Sequence, residues 1–132
     1  MTRIYLDPTA LVLASGGPET GDEHVAPGAT DAVGHLVDAG FEVIVLGEAA
    51  PDAVRQLPAG VGHASALPEH LAGDAWYLTG EPYPSFGRPR GGTTVLVGPR
   101  RPAGKIPLPR FDLEARDMPS AAMEILTREA MA

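Results

Sequence analysis

The residue best suited to covalent chemistry in this chain is Asp7. It follows the apolar run "RIYL" and is itself followed by Pro8 and Thr9. An ionised carboxylate at the end of a strand can act as a nucleophile or as a ligand in a metal or phosphate site. An aspartate before proline can equally close an Asx turn, its side chain accepting a backbone N–H two residues on. Both readings stay open for Asp7. Asp22, Glu23 and His24 could be drawn as a divalent-metal site, but they read as a solvated polar loop. His35, His63 and His70 lack a His-Glu-x-x-His spacing and read as surface or partly buried side chains. The glycines of "ASGGPETGDEH" match neither a dinucleotide nor a Walker pattern, which leaves them as turn residues.

Bulk composition narrows the classes. The 132 residues suit one domain with a core of its own. Hydrophobic content is 44% but aromatics are only 5%, so Ala, Val and Leu must build most of that core. Net charge is −7 and the isoelectric point about 4.9. No dense basic run exists apart from Arg88, Arg90, Arg100 and Arg101, so nucleic acid is not an expected partner. There are no cysteines, which excludes disulfides, thiolate catalysis and Cys-ligated zinc. No apolar run has membrane-spanning length and none resembles a signal peptide, so a cytoplasmic domain is expected. A single lysine against nine arginines, with abundant Ala, Gly and Pro, suggests a GC-rich bacterial genome.

The elements that must position these residues follow from periodicity. Arg3–Leu6, Glu42–Leu46, Ala75–Thr79 and Thr93–Val97 are short, continuous apolar runs, and Val61–Leu67 is a weaker fifth. Continuous rather than alternating apolar runs predict strands covered on both faces, as in parallel sheets. Between them, residues 27–40 predict a helix with Ala29, Val33, Leu36 and Val37 on one face and Gly40 as its stop. Residues 51–58 predict a short second helix, residues 67–73 a turn or two, and residues 118–132 a final helix. Residues 80–92 and 98–110 read as irregular loops. Alternating strands and helices predict an open, mostly parallel α/β sheet, Rossmann-like, with helices on both faces. In such sheets the site lies beyond the carboxyl ends of the strands. That singles out Asp7–Thr9, Gly47–Glu48, Thr79–Glu81 and the turn at Gly98.

With those strand ends in place, the layout resembles the haloacid dehalogenase-like (HAD) superfamily along nearly the whole chain. The stretch "DPTAL" stands where that family carries Asp-x-Asp-Gly-Thr, and "PGATDAVGHLVDAGFEVIVLGEAA" resembles its first helix and second strand. "AWYLTGEP" resembles a later strand, and "GGTTVLVGP" with "ARDMPSAAMEIL" its closing strand and helix. The resemblance implies a capless HAD-type domain over residues 1–132 and Mg²⁺-dependent phosphatase chemistry. Asp7 would be the nucleophile and Thr9 would occupy the acid's position. Gly47, Glu48 and Lys105 would fall in the phosphate-binding region, and Asp7 with Glu81 would hold the metal.

The altered positions decide what chemistry remains. A threonine hydroxyl is a poor general acid near neutrality, and losing such a group costs on the order of 10²–10⁴ in rate. Gly47 lacks the hydroxyl expected there, and Glu48 brings negative charge toward a phosphate pocket. No lysine lies between Glu48 and Glu81, leaving Lys105 or Arg55 as substitutes and Ser85 as a second oxygen beside Glu81. Losses within one functional unit compound poorly. The expectation is a HAD-like pseudoenzyme that binds a protein partner or itself, with Mg²⁺ its only expected cofactor, if any. The alternative is a capless phosphatase or phosphotransferase using Asp7. A third class is a structural subunit that self-associates through a sheet edge or residues 80–92. Trp76 reads as core, and Tyr83 and Phe86 as contact residues.

Overall fold

The computed structural model describes residues 2–14, 23–25, 28–47, 57–58, 60–80, 89–98 and 111–131. Strand β1 (Arg3–Leu6) runs into a 3-10 turn at Pro8–Ala10. A short antiparallel pair follows, β2 (Val12–Ala14) and β3 (Glu23–Val25), in the register Val12↔Val25. Then come α1 (Ala29–Asp38), β4 (Glu42–Leu46), β5 (Gly62–Ala64), β6 (Trp76–Thr79), β7 (Thr93–Val97), β8 (Leu113–Ala115) and α2 (Met118–Met131).

Six strands form one sheet in the order β5-β4-β1-β6-β7-β8, and every pairing in it is parallel. Leaving aside the β2–β3 pair, this is the doubly wound Rossmann-like order 3-2-1-4-5-6. The chain builds outward from β1 through β4 to β5, then returns across β1 to lay down β6, β7 and β8. The order therefore reverses between β1 and β6. Residues 7–28, between β1 and α1, are too few for a separate cap domain.

The continuous apolar runs are explained by burial on both faces. Ile4, Leu6, Val43, Val45, Trp76 and Leu78 point to one face, where α1 and α2 pack against them and each other. Tyr5, Leu46 and Tyr77 point to the other, covered by Leu71 and Ala75 from the segment before β6. Both described helices therefore lie on one face. The helix expected at 51–58 falls almost wholly outside the described residues.

Helix α1 buries Ala29, Ala32, Val33 and Leu36 at the 3–4 residue spacing of one helical face. It ends in a Schellman motif, with Phe41 N–H donating to Leu36 O (3.2 Å) and Gly40 N–H to Val37 O (3.0 Å). Gly40 takes the left-handed φ of 95° that this stop demands. Helix α2 is capped by Asp117, whose Oδ1 accepts from Ser120 N–H at 2.8 Å. Trp76 fills the core at 5% exposure, and its indole N–H donates to Glu129 Oε1 of α2 at 3.2 Å.

Four expectations need correcting. Glu23 and His24 do not lie in a polar loop but in β3; three residues, two of them polar, were too short to signal a strand. Residues 67–73 contain no helix and run irregularly, joined to the segment before β7 by a His70–Arg90 bridge. The weak strand at 61–67 shrinks to Gly62–Ala64, an edge that needs little apolar sequence. Strand β8 was unforeseen, because "LEA" has no strand propensity and is held only by pairing with β7.

Candidate functional site

The sheet's reversal point falls between the carboxyl ends of β1 and β6, and Asp7, Thr9, Thr79 and Gly80 meet there. Asp7 directly follows β1, and its backbone N–H donates to Leu78 O at 2.8 Å, which ties it to β6. Its side chain is 2% exposed. Oδ1 accepts from Thr9 N–H at 3.0 Å, the Asx turn anticipated as one of the two readings. Pro8 supports that turn by fixing φ at its first position, and Ala10 N–H and Leu11 N–H close it onto Asp7 O and Pro8 O, each at 2.9 Å.

The second carboxylate oxygen, Oδ2, accepts from the Thr79 hydroxyl at 3.0 Å, and Thr79 is fully buried. One residue on, Gly80 N–H donates to Thr9 Oγ1 at 2.9 Å. Two side chains following β1 are thus bonded to two consecutive residues at the end of β6. The join is close: a Cβ on Gly80 would stand 2.2 Å from Thr9 O and 2.6 Å from Thr9 C. Only glycine permits the two backbones to approach this far.

Thr79 and Gly80 had no assigned role in the sequence reading beyond their place at a strand end. The available signal was the pairing of "DPT" after one strand with "TG" after another, which acquires meaning only once those strands are neighbours. Gly47 directly follows β4 with φ 64°, and its N–H donates to Ala64 O at 2.8 Å. The position where the resemblance expects a hydroxyl residue is therefore in the left-handed conformation, which a β-branched side chain strongly disfavours. Glu48, Glu81 and Lys105 lie outside the described residues, as do Asp22, Arg55, Ser85, Tyr83 and Phe86. His35, His63 and His70 are exposed.

Magnesium takes one or two carboxylates with several waters around them. Of the acids expected to hold it, only Asp7 is described, and its oxygens accept from Thr9 and Thr79 at 2% exposure. Among the described residues no group of three His, Cys, Asp or Glu could hold a metal ion. No described helix is long and apolar enough to cross a membrane.

Fold and site together define a class: a Rossmann-like α/β domain with a buried, internally bonded carboxylate at its reversal point. No protein-family model, no curated protein and no solved structure matches the chain. The functional reading rests on the residues themselves.

Proposed function

We propose that this is a HAD-like domain with degenerate catalytic residues, a pseudoenzyme that acts by binding rather than by phosphoester hydrolysis. The observation that carries the reading is the state of Asp7. In-line attack on phosphorus needs a carboxylate oxygen with access to the incoming electrophile. Asp7 is 2% exposed, and its oxygens are committed to Thr9 N–H and the Thr79 hydroxyl. The carboxylate joins β1 to β6 as a structural cross-brace. Thr9 supports the same reading, because its hydroxyl oxygen accepts from Gly80 N–H and serves the brace. Gly47 supports it too, since it has no hydroxyl for a phosphate.

The test is turnover. Purified protein, incubated with Mg²⁺ and a panel of phosphomonoesters, is expected to release no phosphate above a denatured control. Release at ordinary enzyme rates that disappears in Asp7→Asn would refute the reading.

A second reading is a capless Mg²⁺-dependent phosphatase or phosphotransferase, favoured by one observation. Asp7 stands at the carboxyl end of a central strand, at the reversal point where ligands of doubly wound sheets bind. On this reading the brace opens when substrate arrives, and Thr79 returns the freed oxygen to its resting place afterwards. Soaking crystals with beryllium fluoride and Mg²⁺ separates the two. Density on an Asp7 oxygen supports the second reading, and an unaltered Asp7–Thr79 contact supports the first.

A further inference from the structure

A cavity of about 370 Å³ lies at the amino ends of β1 and β4, on the sheet face opposite α1 and α2. Tyr5 and Leu71 give it an apolar floor. Arg3 and Glu42 form its strand-side wall, and His70 and Asp74, from the segment before β6, stand on the other wall. Its volume falls within the range of about 300–1,000 Å³ typical of small-molecule sites. Asp7 lies at the opposite end of β1, so this cavity is separate from the site at the reversal point.

Both walls are fixed by backbone structure. Arg3 and Tyr5 are two residues apart in β1 and so share a face. The parallel register sets Glu42 beside Arg3, and Arg3 Nε donates to Glu42 Oε2 at 3.0 Å. The two side chains are 58% and 43% exposed, so the pair is open to a ligand. The other wall is irregular but tied down. Leu71 N–H donates to Arg90 O and Arg90 N–H to Glu69 O, each at 2.7 Å, and Thr93 N–H donates to Ala75 O at 2.9 Å. Gly91 makes this possible: φ is 77° there, and a Cβ would stand 2.5 Å from Leu71 O. A cavity held in this way is preformed, which lowers the ordering cost of binding.

We infer that this cavity binds a free α-amino acid. An exposed ion pair contributes little to stability, yet here it forms one wall of a cavity with an apolar floor. Ligands of a single charge meet a like charge on that wall, Glu42 for an anion and Arg3 for a cation. A zwitterion with both charges on one carbon matches two opposite charges 3.0 Å apart. Its carboxylate would accept from the Nη groups of Arg3, which carry the remaining guanidinium donors. Its ammonium would donate to Glu42 Oε1. The side chain would lie on Tyr5 and Leu71, with its tip toward His70 and Asp74. The inference goes beyond the pseudoenzyme reading and does not depend on the state of Asp7.

Titration of the full chain with L-leucine, L-phenylalanine and L-glutamine, followed by amide nitrogen–proton NMR, tests it. At least one is expected to give saturable shifts centred on Arg3, Tyr5, Glu42 and Leu71. Its N-acetyl derivative lacks the ammonium and its amide lacks the carboxylate, and each is expected to bind about tenfold more weakly or worse. Arg3→Gln and Glu42→Gln are each expected to weaken binding by a similar factor. Arg128→Gln, which breaks a comparably exposed pair with Glu124 on α2, should leave it unchanged. Unchanged far-UV circular dichroism verifies that the variants fold. Absence of saturable shifts with all three amino acids overturns the proposal. So do shifts centred elsewhere, a blocked derivative that binds as well as the free amino acid, or binding that both cavity variants leave intact.

Discussion

Replacing Thr79 with valine tests the bond on which the non-catalytic reading depends. The two side chains have nearly the same shape, so little cavity forms and the main loss is the hydroxyl donor. Thr79 Oγ1 donates to Asp7 Oδ2 at 3.0 Å, with Thr79 fully buried and Asp7 2% exposed. A hydrogen bond to a charged group contributes about 1.5–3 kcal/mol. The expected destabilisation is about 2 kcal/mol, near the centre of that range. In a domain of this size it lowers the melting temperature by roughly 6–10 °C. Thr79→Ser keeps the hydroxyl and gives up one methyl, for about 0.8 kcal/mol. Urea denaturation followed by fluorescence of Trp76, the single tryptophan and 5% exposed, measures both. The midpoint should fall without a change in slope. A double-mutant cycle with Asp7→Asn should return a coupling of about 1–2 kcal/mol. If valine costs no more than serine, or the cycle shows no coupling, Asp7 is not braced by Thr79 and the reasoning fails.

Three further outcomes follow from the same structure. Gly80→Ala would drive a Cβ into Thr9 O, 2.2 Å away in backbone rather than in a movable side chain; it should cost on the order of 3 kcal/mol by urea denaturation. Gly47→Thr, which puts back the hydroxyl expected from the family resemblance, should destabilise by about 1–2 kcal/mol because φ is 64° there, and should leave phosphate release at background in the same assay. The Asp117 carboxyl is held below its ordinary value by hydrogen bonds from the Ser120 hydroxyl and backbone N–H. Its folded value thus lies below its unfolded one, so its contribution is complete above about pH 4 and fades as pH falls through the folded value. Asp117→Ala should cost about 1 kcal/mol near neutrality and progressively less in acid, as read by melting temperature against pH.

Much of the frame was legible because periodicity and punctuation are local. The runs 3–6, 42–46 and 93–97 coincide with strands β1, β4 and β7, and Ala29, Val33 and Leu36 form the buried stripe of α1. The short elements were not legible. "LEA" at β8 and "EHV" at β3 are strands only through pairing, and three residues carry too little pattern to announce it. The candidate site was half legible. Asp7 stood out as a carboxylate at a strand end, and both its Asx turn and its chemical alternatives were open from "DPT". Its second partner, Thr79, is 72 residues away, and no local spacing connects the two.

By itself, the amino-acid order determined the α/β alternation, the buried character of the central strands, the stop at Gly40 and the capacity of Asp7 to bond its own turn. These depend on side-chain period and on backbone freedoms that act within a few residues. Tertiary structure alone decided that β6 lies beside β1. That pairing brings Thr79 and Gly80 against Asp7 and Thr9, and it turns a strand-end acid into a buried brace. Strand order depends on which apolar faces bury each other across the whole chain, so the partners of a carboxylate at the reversal point are set only when the sheet closes around it.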